Sequence, residues 1–114
     1  MDGVQVGVGQ LRQDRLGAGA LERLAASGRE VIEIGLPDVE AFAGNMLELS
    51  SWDEALGDCR VLVMSTTARA AFDAERFARL SGCTDTVLAV PLPTIETLGG
   101  GGVRCMLAEV FLPA

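Results

Sequence analysis

The spacing of apolar positions changes several times along this chain, and each change predicts an element. Val4 to Val8 alternates apolar with small or polar residues, the period of a short strand. Leu21, Leu24 and Ala25 recur at helical spacing within Gly17 to Ser27, and Gly28 supplies the stop. Val31 to Ile34 reads as a strand. Pro37 then suits the first turn of a short helix through Phe42, with Val39 and Phe42 on its inner face. Gly44-Asn45 turns the chain into a strand over Met46 to Leu49. Ser50 to Asp58 is polar and acidic around Trp52, and reads as a loop or short helical turn. Arg60 to Met64 is a strand, after which Ser65 or Thr66 can cap a helix running from about Ala68 to Leu80. Thr86 to Val90 is the next strand. Pro91-Leu92-Pro93 leads to a short helix over Thr94 to Leu98, and four glycines, Gly99 to Gly102, lead into a last strand through Cys105.

Sliding the sequence by 56 positions superposes it on itself. Leu36 falls on Leu92, Pro37 on Pro93, Val39 on Ile95, Glu40 on Glu96, Phe42 on Leu98 and Gly44 on Gly100. The shared pattern is Leu-Pro-x-Val/Ile-Glu-x-Phe/Leu-x-Gly. The reading is one α/β domain over residues 1–114, built from two strand-helix-strand-helix-strand modules at 1–58 and 59–114. In this superposition Asn45 falls on Gly101.

Composition narrows the function. Of 114 residues 49% are apolar and 22% charged, a globular balance. The longest apolar runs fall far short of the roughly 20 residues of a membrane span, and no leader pattern opens the sequence, so a cytoplasmic location is expected. A net charge of −7 argues against nucleic acid or anionic lipid as a partner. The three cysteines, Cys59, Cys83 and Cys105, lack the spacing of a metal site or redox pair, and reduced thiols are expected. No cofactor and no metal is called for. There is no His, so neither a Ser-His-Asp nor a Cys-His arrangement can be assembled from these residues alone.

The candidate chemistry gathers at the C-terminal glycines. Cys105 follows a turn whose backbone N–H groups can form a nest for an anion. It reads either as a nucleophile activated by that nest or as a small buried apolar residue. Arg104 on an extended strand would point to the opposite face and so activate it poorly. Gly7-Val8-Gly9 opens like a dinucleotide-binding turn, but Arg12 stands where the third glycine is needed, and the motif is rejected. Glu40 and Glu96 could face a cleft and hold a guanidinium bidentately, or form a solvated helix face.

Phe42-Ala43-Gly44-Asn45-Met46-Leu47-Glu48-Leu49 and the run Pro93-Thr94-Ile95-Glu96-Thr97-Leu98-Gly99-Gly100-Gly101-Gly102-Val103-Arg104-Cys105-Met106-Leu107-Ala108-Glu109 resemble the C-terminal part of the guanidino-group-modifying superfamily. Its members include amidinotransferases, arginine deiminases and dimethylarginine dimethylaminohydrolases. The likeness is nearest to the arginine-deiminase-related branch with citrulline-utilising hydrolases, and extends over nearly the whole chain from Val4. It implies an α/β-propeller of the pentein kind, of which two modules are present. It implies Cys105 as the nucleophile, with Asn45, Gly101 and Gly102 lining the substrate site. The implied substrate is a small guanidino or ureido compound of arginine, methylarginine or citrulline type. The general acid and base of the superfamily is a His before the strand equivalent to Val4–Val8. The chain is therefore expected to be a truncated portion of a hydrolase, inactive in isolation. The alternative is a non-catalytic remnant or oligomerising α/β module. Either way, association as a homo-oligomer or with complementary modules is expected, because a partial propeller leaves module faces unpaired.

Overall fold

In a computed structural model, residues 15–110 together with 112 and 113 are described. The expected strand at Val4–Val8 lies outside the described residues. The elements in order are helix α1 (Arg15–Ala26), helix α2 (Leu36–Glu40), strands β1 (Leu47–Asp53) and β2 (Gly57–Ser65), helices α3 (Thr66–Ala71) and α4 (Ala74–Ser81), and strand β3 (Thr86–Val90). A π-helical turn over Ile95–Gly99 and a 3-10 turn over Arg104–Met106 follow.

β2 is the middle strand of a three-stranded mixed sheet ordered β1-β2-β3. Its run Val61-Leu62-Val63-Met64 is apolar on both faces, as a strand covered from two sides must be. β1 pairs with it antiparallel, Leu47 opposite Val63 and Asp53 opposite Gly57. β3 pairs with it parallel, Val61 opposite Thr86 and Ser65 opposite Val90. A parallel neighbour needs a crossover, and α3 and α4 provide it. The core is formed by Ile32, Ile34, Ala43, Met46, Leu62, Met64, Ala68, Phe72 and Leu80.

Four expected elements take a different form, each for a local reason. The acidic stretch after Leu49 is a hairpin and not a loop. The Asp53 carboxylate accepts from the backbone N–H groups of Ala55 (2.8 Å) and Leu56 (3.1 Å), and Gly57 at φ +72° takes the left-handed step back into β2. A turn with a carboxylate first and a glycine last ties two strands together. The single helix expected over Ala68–Leu80 is two helices. Asp73 accepts from the Arg76 N–H at 2.8 Å and caps α4, which forces Phe72 into extended backbone. Aspartate competes for backbone donors in this way and interrupts helices.

The strand expected at Val31–Ile34 is reduced to a single bridge at Val31. Its period-2 pattern still sorts the side chains, with Ile32 and Ile34 buried and Glu33 exposed. The last strand, expected after the glycines, is replaced by the 3-10 turn. There the Met106 N–H donates to the Val103 carbonyl (3.0 Å) and the Leu107 N–H to that of Arg104 (3.1 Å). The backbone donors a ladder would need are already engaged.

Three further local expectations are met. α1 ends before Gly28, whose φ is +77°. β3 spans Thr86–Val90 as expected. Ser65 is the residue that caps α3, its hydroxyl accepting from the Ala68 N–H at 3.0 Å. No helix among the described residues is long and apolar enough to cross a membrane.

Candidate active site

Cys105 is exposed, on the 3-10 turn that follows the glycines. Asn45 reaches it across 60 residues of sequence: its Nδ2 donates to Cys105 Sγ at 2.9 Å. The orientation of that amide is fixed from the other side. Asn45 Oδ1 accepts from the Arg104 N–H at 2.8 Å and from the Cys105 N–H at 3.4 Å. With its oxygen claimed by two backbone donors, the amide can only present N–H to the sulfur.

A donor facing a thiol favours the thiolate. The thiol of Cys105 is accordingly held below its ordinary range, first by the Asn45 N–H and then by the Gly102 backbone N–H. Loss of some water contact opposes them, and the Arg104 positive charge adds a smaller pull. The opposite-face argument against Arg104 fails because there is no strand at this point.

The glycines are small for a steric reason. A Cβ on Gly101 would stand 3.0 Å from both Cβ and Sγ of Cys105. One on Gly102 would stand 3.1 Å from Asn45 Cγ and Oδ1. Gly100 has φ +68° and ends the π-helical turn in the left-handed region. So the four residues singled out from sequence, Cys105, Asn45, Gly101 and Gly102, do come together, and each touches another of the set.

The approach of Asn45 carries strain. Phe42 has φ +63°, the left-handed region that a bulky side chain seldom enters. The Asn45 N–H donates back to the Phe42 carbonyl at 2.9 Å, closing the turn that aims the side chain. Strain of this kind persists where surrounding contacts over-determine it; here Phe42 packs against the core and Ala43 is fully buried. A cavity of about 260 Å³ opens beside this turn, lined by Val39, Phe42, Gly44, Asn45 and Gly100. It shares Asn45 with the thiol. A second cavity of about 340 Å³, lined by Leu21, Val31, Glu33, Arg76 and Arg79, shares no residue with the site.

Other candidates fall elsewhere. Glu40 is exposed, whereas Glu96 is buried between the hydroxyls of Ser65 and Thr67, so the two do not face one cleft. Cys59 is buried in β2, and Cys83 lies against the Arg79 carbonyl at 3.3 Å. Among the described residues no cluster of His, Cys, Asp and Glu has the makings of a metal site. Glu96 was singled out by the repeat, though not its burial; the strained backbone of Phe42 was not foreseen, because φ leaves no trace in hydrophobic spacing.

An exposed thiol thus meets an amide donor at the end of a glycine turn, on a small mixed α/β fold. The chain belongs to the family described as N,N dimethylarginine dimethylhydrolase, eukaryotic, which matches it over residues 6–112. Neither a curated protein nor a solved structure matches it.

Proposed function

We propose that Cys105 is the nucleophile of a hydrolase acting on guanidino C–N bonds of the methylarginine type. Membership of the family supports the reaction class. The single observation that supports the residue is the Asn45 amide, oriented by two backbone donors so that it stabilises the Cys105 thiolate.

In the proposed reaction the thiolate adds to the guanidino carbon, and the bond from that carbon to the substituted nitrogen breaks. The nitrogen leaves as an amine, taking up a proton, and a covalent thiouronium remains on Cys105. Water then attacks the same carbon, the C–S bond breaks, a ureido product departs and the thiolate is regenerated. The cavity at Val39, Phe42 and Gly100, sharing Asn45 with the thiol, is the proposed seat of the substrate chain.

Proton transfer to the leaving amine has no His to perform it in these 114 residues. General acid–base help is worth about 10²–10⁴ in rate. The isolated chain is therefore proposed to bind and to expose an activated thiol while turning over slowly or not at all, until a proton donor is supplied from outside it. The pentein-type propeller, with 1–58 and 59–114 as two of its modules, belongs to the same proposal. Supply by association has its own support, since Leu98, Met106, Leu107, Val110 and Leu112 are all exposed at the C-terminal end.

The test is the rate of Cys105 alkylation by iodoacetamide against pH, read by peptide mass, with and without dimethylarginine, arginine or citrulline. A thiol pKa below the ordinary value and protection by a guanidino compound are expected. An ordinary pKa with no protection by any of the three would sink the assignment.

A further inference from the structure

The segment that delivers Cys105 is fastened to the body of the protein in an inverted way. Between Pro93 and Gly101 the buried side chain is the acid, Glu96, at 7% exposure. Its apolar neighbours point outward: Ile95 is 38% exposed and Leu98 83%. Such inversions of the usual rule concentrate at functional sites.

The carboxylate is received by two hydroxyls. Ser65 Oγ donates to Glu96 Oε2 at 3.0 Å, and Thr67 Oγ1 donates to Oε1 at 2.9 Å. Ser65 is fully buried at the C-terminal end of β2, and its oxygen also caps α3. No Arg lies within ion-pair distance of Glu96 among the described residues. A carboxylate placed inside without a cation is costly, and an apolar side chain would fill the place more cheaply. What it gives instead is direction: two hydrogen bonds to two fixed points set the rotation of the turn that bears it.

That turn is π-helical, a form that occurs mostly as single turns and frequently at functional sites. It runs straight into glycines that have no side chains with which to anchor themselves. Asn45 clamps the far end of the glycine turn through the N–H groups of Arg104 and Cys105. Glu96 is the corresponding clamp on the near end.

We propose that Glu96 is a positioning residue for Cys105, locking the π-helical turn onto Ser65 and Thr67 so that the glycine turn carries Sγ to the Asn45 amide. This rests on Cys105 being the reactive thiol. The charged group facing Cys105 is Arg104, and the groups facing Glu96 are the two neutral hydroxyls.

The experiment measures Cys105 alkylation by iodoacetamide against pH in the full chain and in Glu96→Ala, Glu96→Gln and Thr67→Val. The signs separate positioning from charge. Deleting a nearby negative charge, by itself, lowers a thiol pKa, whereas losing the Asn45 donor raises it. Positioning therefore predicts that Glu96→Ala raises the Cys105 pKa and slows alkylation at pH 7 at least ~threefold, with rates converging at high pH where every thiol is ionised. Glu96→Gln, which keeps the shape and one acceptor, should restore most of the rate. Thr67→Val should shift the profile in the same direction as Ala but less; it also carries the test if Glu96→Ala does not fold. A lowered or unchanged pKa in Glu96→Ala, or in Thr67→Val where that variant stands in, overturns the proposal even if the melting temperature falls. An ordinary thiol pKa in the unmodified chain would instead overturn the assignment of Cys105 itself, so the two failures are distinguishable.

Discussion

Replacing Arg76 by Ala should loosen the joint between the helical layer and the segment that carries Asn45. Arg76 lies on α4 and grips Asp38 of α2 with a fork, Nη1 to Oδ2 at 2.8 Å and Nη2 to Oδ1 at 3.3 Å. It also donates to the Ala71 carbonyl at 3.1 Å, the Glu33 carbonyl at 3.3 Å and the Asp73 carboxylate at 3.0 Å. Its guanidinium carbon lies 5.6 Å from the centre of the Phe72 ring. The side chains of Arg76 and Asp38 are 22% and 18% exposed. An exposed pair is worth about 0.2–1 kcal/mol, and removing one member of a buried pair costs about 3–5 kcal/mol. A pair one-fifth exposed lies between, and water can reach the carbonyls left behind. The expected loss is about 2–3 kcal/mol, or a fall in Tm of about 8–12 °C for a chain of this size.

Urea unfolding and a thermal scan measure this loss, and a double-mutant cycle with Asp38→Ala isolates the pair. A coupling of about 1–2 kcal/mol is expected. The pH dependence follows from the sign of the shift. The Asp38 carboxyl is held below its usual range, chiefly by the hydrogen bond from Arg76 and next by the Gly35 N–H. A depressed carboxyl contributes stability that is present above its unfolded pKa of about 3.9 and is lost as pH falls through the lower folded value. The Asp73 carboxyl is also lowered, first by the Arg76 backbone N–H, and titrates in the same window. The difference between the native chain and Arg76→Ala should therefore be full at pH 7 and pH 5 and shrink only below about pH 4. A loss under ~1 kcal/mol, or single-variant effects that simply add, would refute the reasoning.

Two further outcomes concern the thiol. Asn45→Ala removes the leading cause of the lowered Cys105 pKa, so alkylation should slow severalfold at pH 7 and remain unchanged near pH 10; an unaltered profile would deny the amide its role. Gly102→Ala places a Cβ 3.1 Å from Asn45 Cγ and Oδ1 at a position whose φ is not left-handed. It should push the amide aside and raise the Cys105 pKa with little loss of Tm, which mass-resolved alkylation and calorimetry check together.

How much of this was legible in the sequence depends on the distance over which each feature is encoded. β3 and the capping of α3 by Ser65 are written in a handful of adjacent residues and follow from spacing and side-chain chemistry. The hairpin at Asp53–Gly57 was just as local, but its acidic composition resembled a loop, and the signal lay in one carboxylate and one glycine. The break between α3 and α4 turned on Asp73 preferring a cap to a helix interior. The missing last strand reflects the local 3-10 bonds of Met106 and Leu107, reinforced by Asn45, which takes the Arg104 and Cys105 donors from 59 and 60 residues away. The meeting of Asn45, Gly101, Gly102 and Cys105 was legible only through likeness to a family. Nothing in periodicity brings those positions together.

The 60-residue span between Asn45 and Cys105 has a consequence for the order of events as the chain folds. The β1–β2 hairpin closes a short loop, while β3 must wait for its crossover, and long closures are entropically slower to reach. The Asn45–Cys105 contact spans both halves of the sheet and joins two turns far apart in sequence, so it is expected to form late and to be among the first to open. On the proposed assignment, the Cys105 thiol is lowered only once the Asn45 amide has closed on it. The rate at which Cys105 is modified should then report completion of the fold.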